Sequence, residues 1–347
     1  MRVLVTGGAG LVGSHCAEFF ALHNPKNKVV VLDNLMRSRI FGVNKASVEF
    51  NWGYLKKFKN IERIKGDVRN EKEVREAIGK GVDVVIHTAG QPGVPSSVRM
   101  PKEDFSINAF GTLNVLEAAR KKSTDTTFIY CSTNKIYGEN VDSISLIEKA
   151  KRYAFKGVAG VSEQMSTDLT GHTPYGVSKL VGDLYVQEYS HIYKMKTAVF
   201  RMSCTYGTRQ FGFEDQGWVA WFIIATLFNK AITVYGNGKQ VRDMLYVDDL
   251  VDAFNRFIYS DLKCGIFNIG GGPNNTISLL EFLEELELLT GKRPKVNFSD
   301  WRPSDQKVYI SDTTKLEKLL NWKIKIPVKE GIKRLVDWVK ENEGYFS

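Results

Sequence analysis

A short β-rich run, Arg2-Val3-Leu4-Val5-Thr6, breaks into Gly7-Gly8-Ala9-Gly10-Leu11-Val12-Gly13-Ser14 and then into a helical pattern carried by Cys16, Phe19 and Phe20. No other stretch restricts the fold as strongly, because strand, glycine turn and helix in that order are what a dinucleotide site requires. Gly7 allows the tight turn, Gly10 lets a pyrophosphate approach backbone N–H groups at the helix N-terminus, and Gly13 permits close helix packing. The next strand, Lys28 to Leu32, ends at Asp33, 20 residues after Gly13. A carboxylate there suits the hydroxyls of an adenosine ribose and disfavours a 2′-phosphate, which points to NAD rather than NADP. Arg37 and Arg39 nearby weaken that inference without reversing it.

The alternation continues. Ile64 leads into Gly66-Asp67-Val68, a helix runs through Val74 and Ile78, a strand spans Val82 to His87, a helix Ala109 to Arg120, and a strand Thr127 to Cys131. Strands separated by crossover helices build an α/β, doubly wound parallel sheet. Ligands of such sheets sit at the carboxyl ends of strands. Asp67 and Val68 fall at one such end, suited to flank an adenine, and Thr88-Ala89-Gly90 at another, suited to the phosphates and ribose of the cofactor.

Thr173-Pro174-Tyr175-Gly176-Val177-Ser178-Lys179 sets a tyrosine four residues ahead of a lysine, with the helical pattern Leu180, Val181, Leu184 and Val186 behind it. Helical pitch brings both side chains to one face, where an ammonium biases a phenol toward losing its proton and acting as a general base. The same spacing occurs at Tyr235/Lys239 and Tyr259/Lys263. There, Gly236-Asn237-Gly238 and Ser260-Asp261 with Gly265 read as turns, so neither pair needs to share a helical face. The strand ending at Cys131 runs into Ser132-Thr133-Asn134-Lys135-Ile136-Tyr137-Gly138, placing a hydroxyl for convergence with Tyr175 on one alcohol carbon. Thr133 is the expected partner, with Ser132 the alternative if the register differs by one residue.

Gly7/Gly10/Gly13, Asp33, Asp67, Asn108 with Gly111-Thr112, Thr133 and Tyr175/Lys179, in that order, resemble the extended short-chain dehydrogenase/reductase family over essentially the whole chain. The resemblance implies a Rossmann domain over residues 1–200, joined by a return segment near 235–270, and a smaller nucleotide-sugar-binding domain over 201–347. It implies NAD held by Gly7, Gly10, Leu11, Val12, Asp33, Asn34, Asp67, Val68, Thr88, Ala89, Gly90, Tyr175, Lys179 and Met202. Tyr175 would be base and acid, Lys179 would hold the nicotinamide ribose and lower the tyrosine pKa, and Thr133 would bond the reacting oxygen. Members that dehydrate sugars carry Thr-Asp-Glu where this chain has Thr133-Asn134-Lys135. Dehydration needs that second acid and base, so hydride transfer with a single proton relay remains.

In the carboxyl-terminal half, the family places its nucleotide-diphosphate site along Tyr206-Gly207-Thr208-Arg209-Gln210-Phe211, Asp215-Gln216-Gly217-Trp218, Gly236-Asn237-Gly238-Lys239-Gln240-Val241-Arg242-Asp243 and Trp301-Arg302-Pro303-Ser304-Asp305. Arg242 and Arg302 are the implied pyrophosphate ligands, since guanidinium forks match phosphate oxygens in pairs. Gln91, Thr133, Asn134, Ser203, Cys204 and Gln210 complete the implied substrate set. These strings imply an epimerase that inverts C2 of a CDP-linked sugar through a 2-keto sugar; a UDP-sugar 4-epimerase and a non-catalytic RNA-binding member are the alternatives. Cys204 stands where serine is expected and Ser304 where glycine is common, which leaves sugar and base open. The family's usual homodimer would pair helices near Asn108 to Arg120 and Val177 to Ile192.

Composition removes other classes. No run of about 18 uncharged apolar residues is present and the N-terminus lacks a signal-peptide layout, so a cytoplasmic protein without a membrane partner is expected. Cys16, Cys131, Cys204 and Cys264 are far apart with no neighbouring histidine, and read as buried small hydrophobes rather than a metal site or disulfide framework. The net charge of +9 suits an anionic partner, but the lysines are scattered, as at Lys56, Lys57, Lys315 and Lys318, so no nucleic-acid partner is expected. The linker Glu139 to Gly171 exceeds the ~15 residues beyond which loops are functional or hold their own structure. Its Ile147, Tyr153 and Phe155 suggest a segment folded over the site, against a mobile surface excursion. Ser278-x-x-Glu281 followed by Leu283 and Leu286 reads as a capping box on an amphipathic helix, which makes the preceding Gly270-Gly271-Gly272 structural.

Overall fold

The computed structural model describes residues 1–302 and 304–346; Pro303, within the arginine-bearing run above, lies outside them. The chain divides into two compact units, the first made of residues 1–136, 173–201 and 251–267, the second of 137–172, 202–250 and 268–347. The segment that returns to the first unit is therefore 251–267, and the 137–172 excursion groups with the second unit.

The first unit is built on a seven-stranded sheet. Strands β1 (Arg2–Thr6), β2 (Lys28–Asp33), β3 (Ile61–Lys65), β4 (Val84–His87) and β5 (Thr127–Thr133) are followed by Thr197–Met202 and Cys264–Ile269. The spatial order is Cys264–Ile269, Thr197–Met202, β5, β4, β1, β2, β3. β1 pairs in parallel with β2 on one side and β4 on the other, so the strand order reverses beside it. That reversal opens the crevice in which doubly wound sheets bind ligands. Val29, Val30, Val31 and Leu32 are all buried, the continuous apolar run of a strand covered on both faces. One core cluster joins Leu4, Val30, Leu32, Val85, Phe128 and Tyr130 to Val74, Ile78, Val115, Leu116 and Val186 from the helices. A helix expected from Ala109 begins instead at Gly111, after a π-helical turn over Ser106–Phe110. Such single π turns commonly mark functional sites.

In the second unit, Val241–Tyr246 pairs antiparallel with Thr276–Ser278 and parallel with Val308–Tyr309 and Cys204–Tyr206. The excursion is ordered: Leu146–Glu148 and Tyr153–Phe155 form an antiparallel hairpin. Tyr153 packs with Val241, Val308 and Ile310, and its hydroxyl accepts from Asn237 Nδ2 at 2.7 Å. Ile147 points outward. The segment is thus a docked hairpin rather than a mobile excursion, because its aromatic side chain finds an apolar strand surface. The capping box forms as well, Ser278 Oγ accepting from Glu281 N at 3.2 Å and Glu281 Oε2 from Ser278 N at 2.9 Å.

Both decoy tyrosines fall outside helices. Tyr235 ends a strand before Gly236 and Gly238, both at positive φ, and Tyr259 follows the helix Val247–Ile258. Cys16 and Cys131 are buried, but Cys204 is only partly covered and Cys264 is exposed, at the start of an edge strand. Among the described residues, no three His, Cys, Asp or Glu side chains are grouped to hold a metal, and no helix is long and apolar enough to cross a membrane.

Candidate active site

The turn after β1 has the features its glycines demand. Gly7 sits at φ +72°, and a Cβ there would lie 2.6 Å from Ala89 N; a Cβ on Gly13 would lie 2.3 Å from Gly7 O. The helix Leu11–His23 starts at Gly10 without a side-chain cap, so the N–H groups of Leu11, Val12 and Gly13 face outward from its positive end. At the end of β2, Asp33 accepts from Ala9 N at 2.9 Å and Leu35 N at 2.7 Å, one bond per oxygen, leaving lone pairs for two hydroxyls. Burial raises its pKa against those two bonds. Asn34 donates to Asp67 at 2.9 Å. Burial works against the Asp67 carboxylate, but bonds from Arg69 and Asn34 outweigh it and hold its pKa below the ordinary value. Val68 is buried, and Thr88 Oγ1 donates to Thr6 O at 2.6 Å beside Ala89 and Gly90. An uncapped helix end, an anchored acid and two strand ends free of bulk fit a dinucleotide.

The helix Pro174–Tyr193 opens with Thr173 as N-cap, its hydroxyl accepting from Gly176 N at 3.2 Å, and with Pro174 in the first turn. Tyr175 is partly buried and hydrogen-bonded to Thr133, the last residue of β5. Burial pushes its phenol up to about 12; the bond to Thr133 lowers it and Asp104 and Cys131 raise it. Lys179 is 6% exposed, with Nζ 4.2 Å from the Tyr130 ring centroid. Burial takes its pKa down to about 8, opposed by Cys131, Asp104 and Asp183. Desolvation is the largest influence on both groups, and the ammonium rests on the Tyr130 face.

A buried polar network supports this helix. Asn108, in the π turn, donates to Gln91 O at 3.1 Å, Asp104 Oδ1 at 3.0 Å and Ser178 Oγ at 3.1 Å, and accepts from Gln91 N at 2.8 Å. Gln91 is 2% exposed and its amide donates to Asp104 and Gly93 O. The sequence assigns Gln91 to substrate; the structure instead turns its side chain into the protein. His87, buried between Thr6 and Thr112, is pushed down to about 3 by burial and by the Lys179 charge, and is a neutral bridge. Asn134 is partly buried beside Thr133, its Oδ1 3.3 Å from Thr133 Oγ1.

Within the second unit, Met202 ends its strand and Ser203 follows it, with Ser203 Oγ donating to Asp243 Oδ1. Asp243, 0% exposed, also accepts from Gly272 N and Ser311 N, tying the triple-glycine turn to the central strand. The sequence singled out Arg242 and passed over its neighbour Asp243, whose burial no local pattern announces. Cys204 lies opposite Met244, its thiol pushed up to about 12 by burial. Gln210 is 6% exposed, and its buried Oε1 has no protein partner among the described residues. Arg242 Nη2 contacts Asp305 Oδ1 at 2.6 Å; Arg302 Nη2 contacts Asp215 Oδ1 at 3.1 Å, and its guanidinium lies 3.8 Å from the Tyr235 ring centroid.

Residues 3–270 match the model of the NAD dependent epimerase/dehydratase family. The chain is 37% identical over 346 residues to CDP-paratose 2-epimerase of Salmonella typhi, covering 97% of this chain and 99% of that protein. It is 33% identical to a putative UDP-glucose 4-epimerase of Methanocaldococcus jannaschii, covering 98% and 99%. Among solved structures, UDP-glucuronic acid 4-epimerase of Bacillus cereus with UDP-glucuronic acid and NAD superposes with a TM-score of 0.83 at 27% identity, covering 99% of this chain and all of that one. The glycine turn, the anchored acid and the tyrosine helix thus agree with these matches: the chain belongs to the NAD dependent epimerase/dehydratase family, as an NAD-dependent nucleotide-sugar epimerase of the extended short-chain dehydrogenase/reductase type.

Proposed function

We propose that the protein inverts C2 of a CDP-linked sugar. One observation carries the choice of carbon and base: the near full-length likeness to a CDP-paratose 2-epimerase at 37% identity. NAD+, when bound, supplies a hydride acceptor and returns the hydride to the opposite face of the sugar. Gly7, Gly10, Leu11 and Val12 hold its pyrophosphate, Asp33 with Asn34 its adenosine ribose, Asp67 and Val68 its adenine, and Thr88, Ala89, Gly90 and Met202 the remainder. Lys179 holds the nicotinamide ribose. Tyr175 Oη takes the proton of the sugar hydroxyl and later returns it, while Thr133 Oγ1 bonds the same oxygen. Arg242 and Arg302 exchange their carboxylate partners for the diphosphate, and Asn134, Ser203, Cys204 and Gln210 line the sugar and base.

The exposed row Val177, Leu184, Tyr185 and Ile192 on the catalytic helix, with Phe110 nearby in sequence to its partner helix, supports a homodimer. We place the enzyme in the cytoplasm.

Product NMR after incubation with CDP-paratose, CDP-glucose and UDP-glucose tests the assignment, with inversion at C2 of a CDP-sugar expected. The 33% identity to a putative UDP-glucose 4-epimerase favours the second reading, and inversion at C4 of UDP-glucose alone would establish it in place of the first. Turnover in heavy water tests the chemistry. Hydride return leaves C2 unlabelled, whereas substantial deuterium at C2 means direct C–H deprotonation and removes the hydride scheme.

A further inference from the structure

The catalytic helix carries a third polar side chain on the Tyr175/Lys179 face that the proton relay does not use. Asp183 follows Lys179 by one turn and is 0% exposed. Its carboxylate accepts from three elements: Ser132 Oγ at 2.8 Å from the end of β5, Arg201 Nε at 3.0 Å and Nη2 at 3.3 Å from the end of Thr197–Met202, and Gln187 Nε2 at 2.6 Å from its own helix. Ser132 is bonded to Thr133, and Arg201 to Met202. A buried ion pair is weak evidence of stability, since desolvation offsets its Coulomb energy. A fully satisfied buried network does select one arrangement of the elements it joins.

We infer that Asp183 is a positioning residue for the reaction: through Ser132 and Arg201 it sets the catalytic helix against two strand ends, and so sets Tyr175 Oη and Lys179 Nζ relative to Thr133 Oγ1. The inference rests on the reading of Thr133, Tyr175 and Lys179 as the relay. The groups acting on Lys179 are Asp104 from the Pro101–Phe105 helix, Cys131 and the Tyr130 ring from β5, His87 from β4, and Asp183 from its own helix. Two of these are carboxylates. Loss of the Asp183 charge therefore favours the neutral amine, and the pH above which activity falls moves downward.

Asp183→Asn and Asp183→Glu in the full-length, NAD-loaded protein test this. They are read by kcat and KM across pH on the sugar nucleotide turned over in the screen above, by NADH affinity from fluorescence, and by melting temperature. For Asp183→Asn, kcat falls about 10- to 100-fold with KM nearly unchanged, as a displacement near 1 Å costs. Its basic limb shifts to lower pH, and NADH affinity weakens above pH 8. Asp183→Glu restores the limb but not the full kcat, because the charge returns with the wrong reach. A folded Asp183→Asn variant with wild-type kcat, limb and NADH affinity overturns the inference. Should that variant not fold, Arg201→Lys decides, because it keeps the charge and removes the fork. Lower kcat at a wild-type melting temperature supports the inference, and unchanged kcat overturns it. Tyr175→Phe separates the two readings: if it stays active the relay itself is wrong, whereas an inactive Tyr175→Phe beside unaffected Asp183 and Arg201 variants sinks only the positioning role.

Discussion

At the scale of single residues, the site holds groups in protonation states that cost stability. Lys179 has its pKa lowered from 10.5 to about 8 by burial, so below pH 8 the folded state carries a desolvated charge that the unfolded chain does not. At about 1.4 kcal/mol per unit, the shift corresponds to about 3 kcal/mol. Between pH 8 and 10.5 the unfolded chain binds the extra proton, so stability from this group rises with pH across that window. Lys179→Met is therefore expected to raise the unfolding free energy obtained from urea titration at pH 7 by up to that amount, with the advantage shrinking toward pH 10.5, while epimerisation is lost. Equal unfolding free energies at pH 7 would show that Lys179 is better solvated than its burial indicates. Tyr175, raised to about 12 by burial, favours its proton in the folded state. Removing the phenol as Tyr175→Phe should lower kcat by about 10²- to 10⁴-fold, the usual contribution of a general acid–base group.

Elements position those residues by their ends. Thr133 closes β5, Asp33 closes β2, Tyr175 lies in the first turn of its helix, and the pyrophosphate turn opens another. The hairpin Leu146–Glu148/Tyr153–Phe155 is held differently, by Tyr153 packed against Val241, Val308 and Ile310 and by bonds from Arg152 to Thr276 Oγ1 and from Ser278 Oγ to Lys151 O. Tyr153→Ala removes that contact together with the bond from Asn237 and is expected to cost about 3 kcal/mol. The loss should be local, with limited proteolysis cutting first within 137–172. Cleavage spread over the chain would instead mean that the hairpin melts only with the whole unit.

At the scale of the whole molecule, spacings of seven and eight residues leave Val177, Leu184 and Ile192 uncovered on one face of the helix that carries Tyr175 and Lys179. In the proposed homodimer a second copy covers this face. Leu184→Glu combined with Ile192→Glu should shift the mass seen by light scattering from dimer to monomer. An unchanged dimer places the interface elsewhere, and a wild-type monomer removes it.

Much of this was legible from the residues alone. The order of strand, glycine turn and helix, the acid after β2, and the single Tyr-Lys pair with a helix behind it are local patterns, and local geometry follows from sequence spacing through helical pitch and strand alternation. Thr133 was placed within one residue for the same reason. Burial and hydrogen-bond partners are not local quantities, and there the residues misled or were silent. Gln91 turned inward because Asp104 and Gly93 O accept from its side-chain amide, while Asn108, in the π turn, bonds its backbone. The Tyr175 phenol rose because enclosure by the fold outweighs its bond to Thr133. Asp183 and Arg201, 18 residues apart, acquired meaning only when a helix and two strand ends met around one carboxylate. The sequence by itself determined the sheet, the glycine turn and the tyrosine set four residues ahead of a lysine on one helix, since each is written in residue spacing. Only the tertiary structure decided how Tyr175 and Lys179 are enclosed and held, since desolvation and buried pairing depend on what surrounds a group in space.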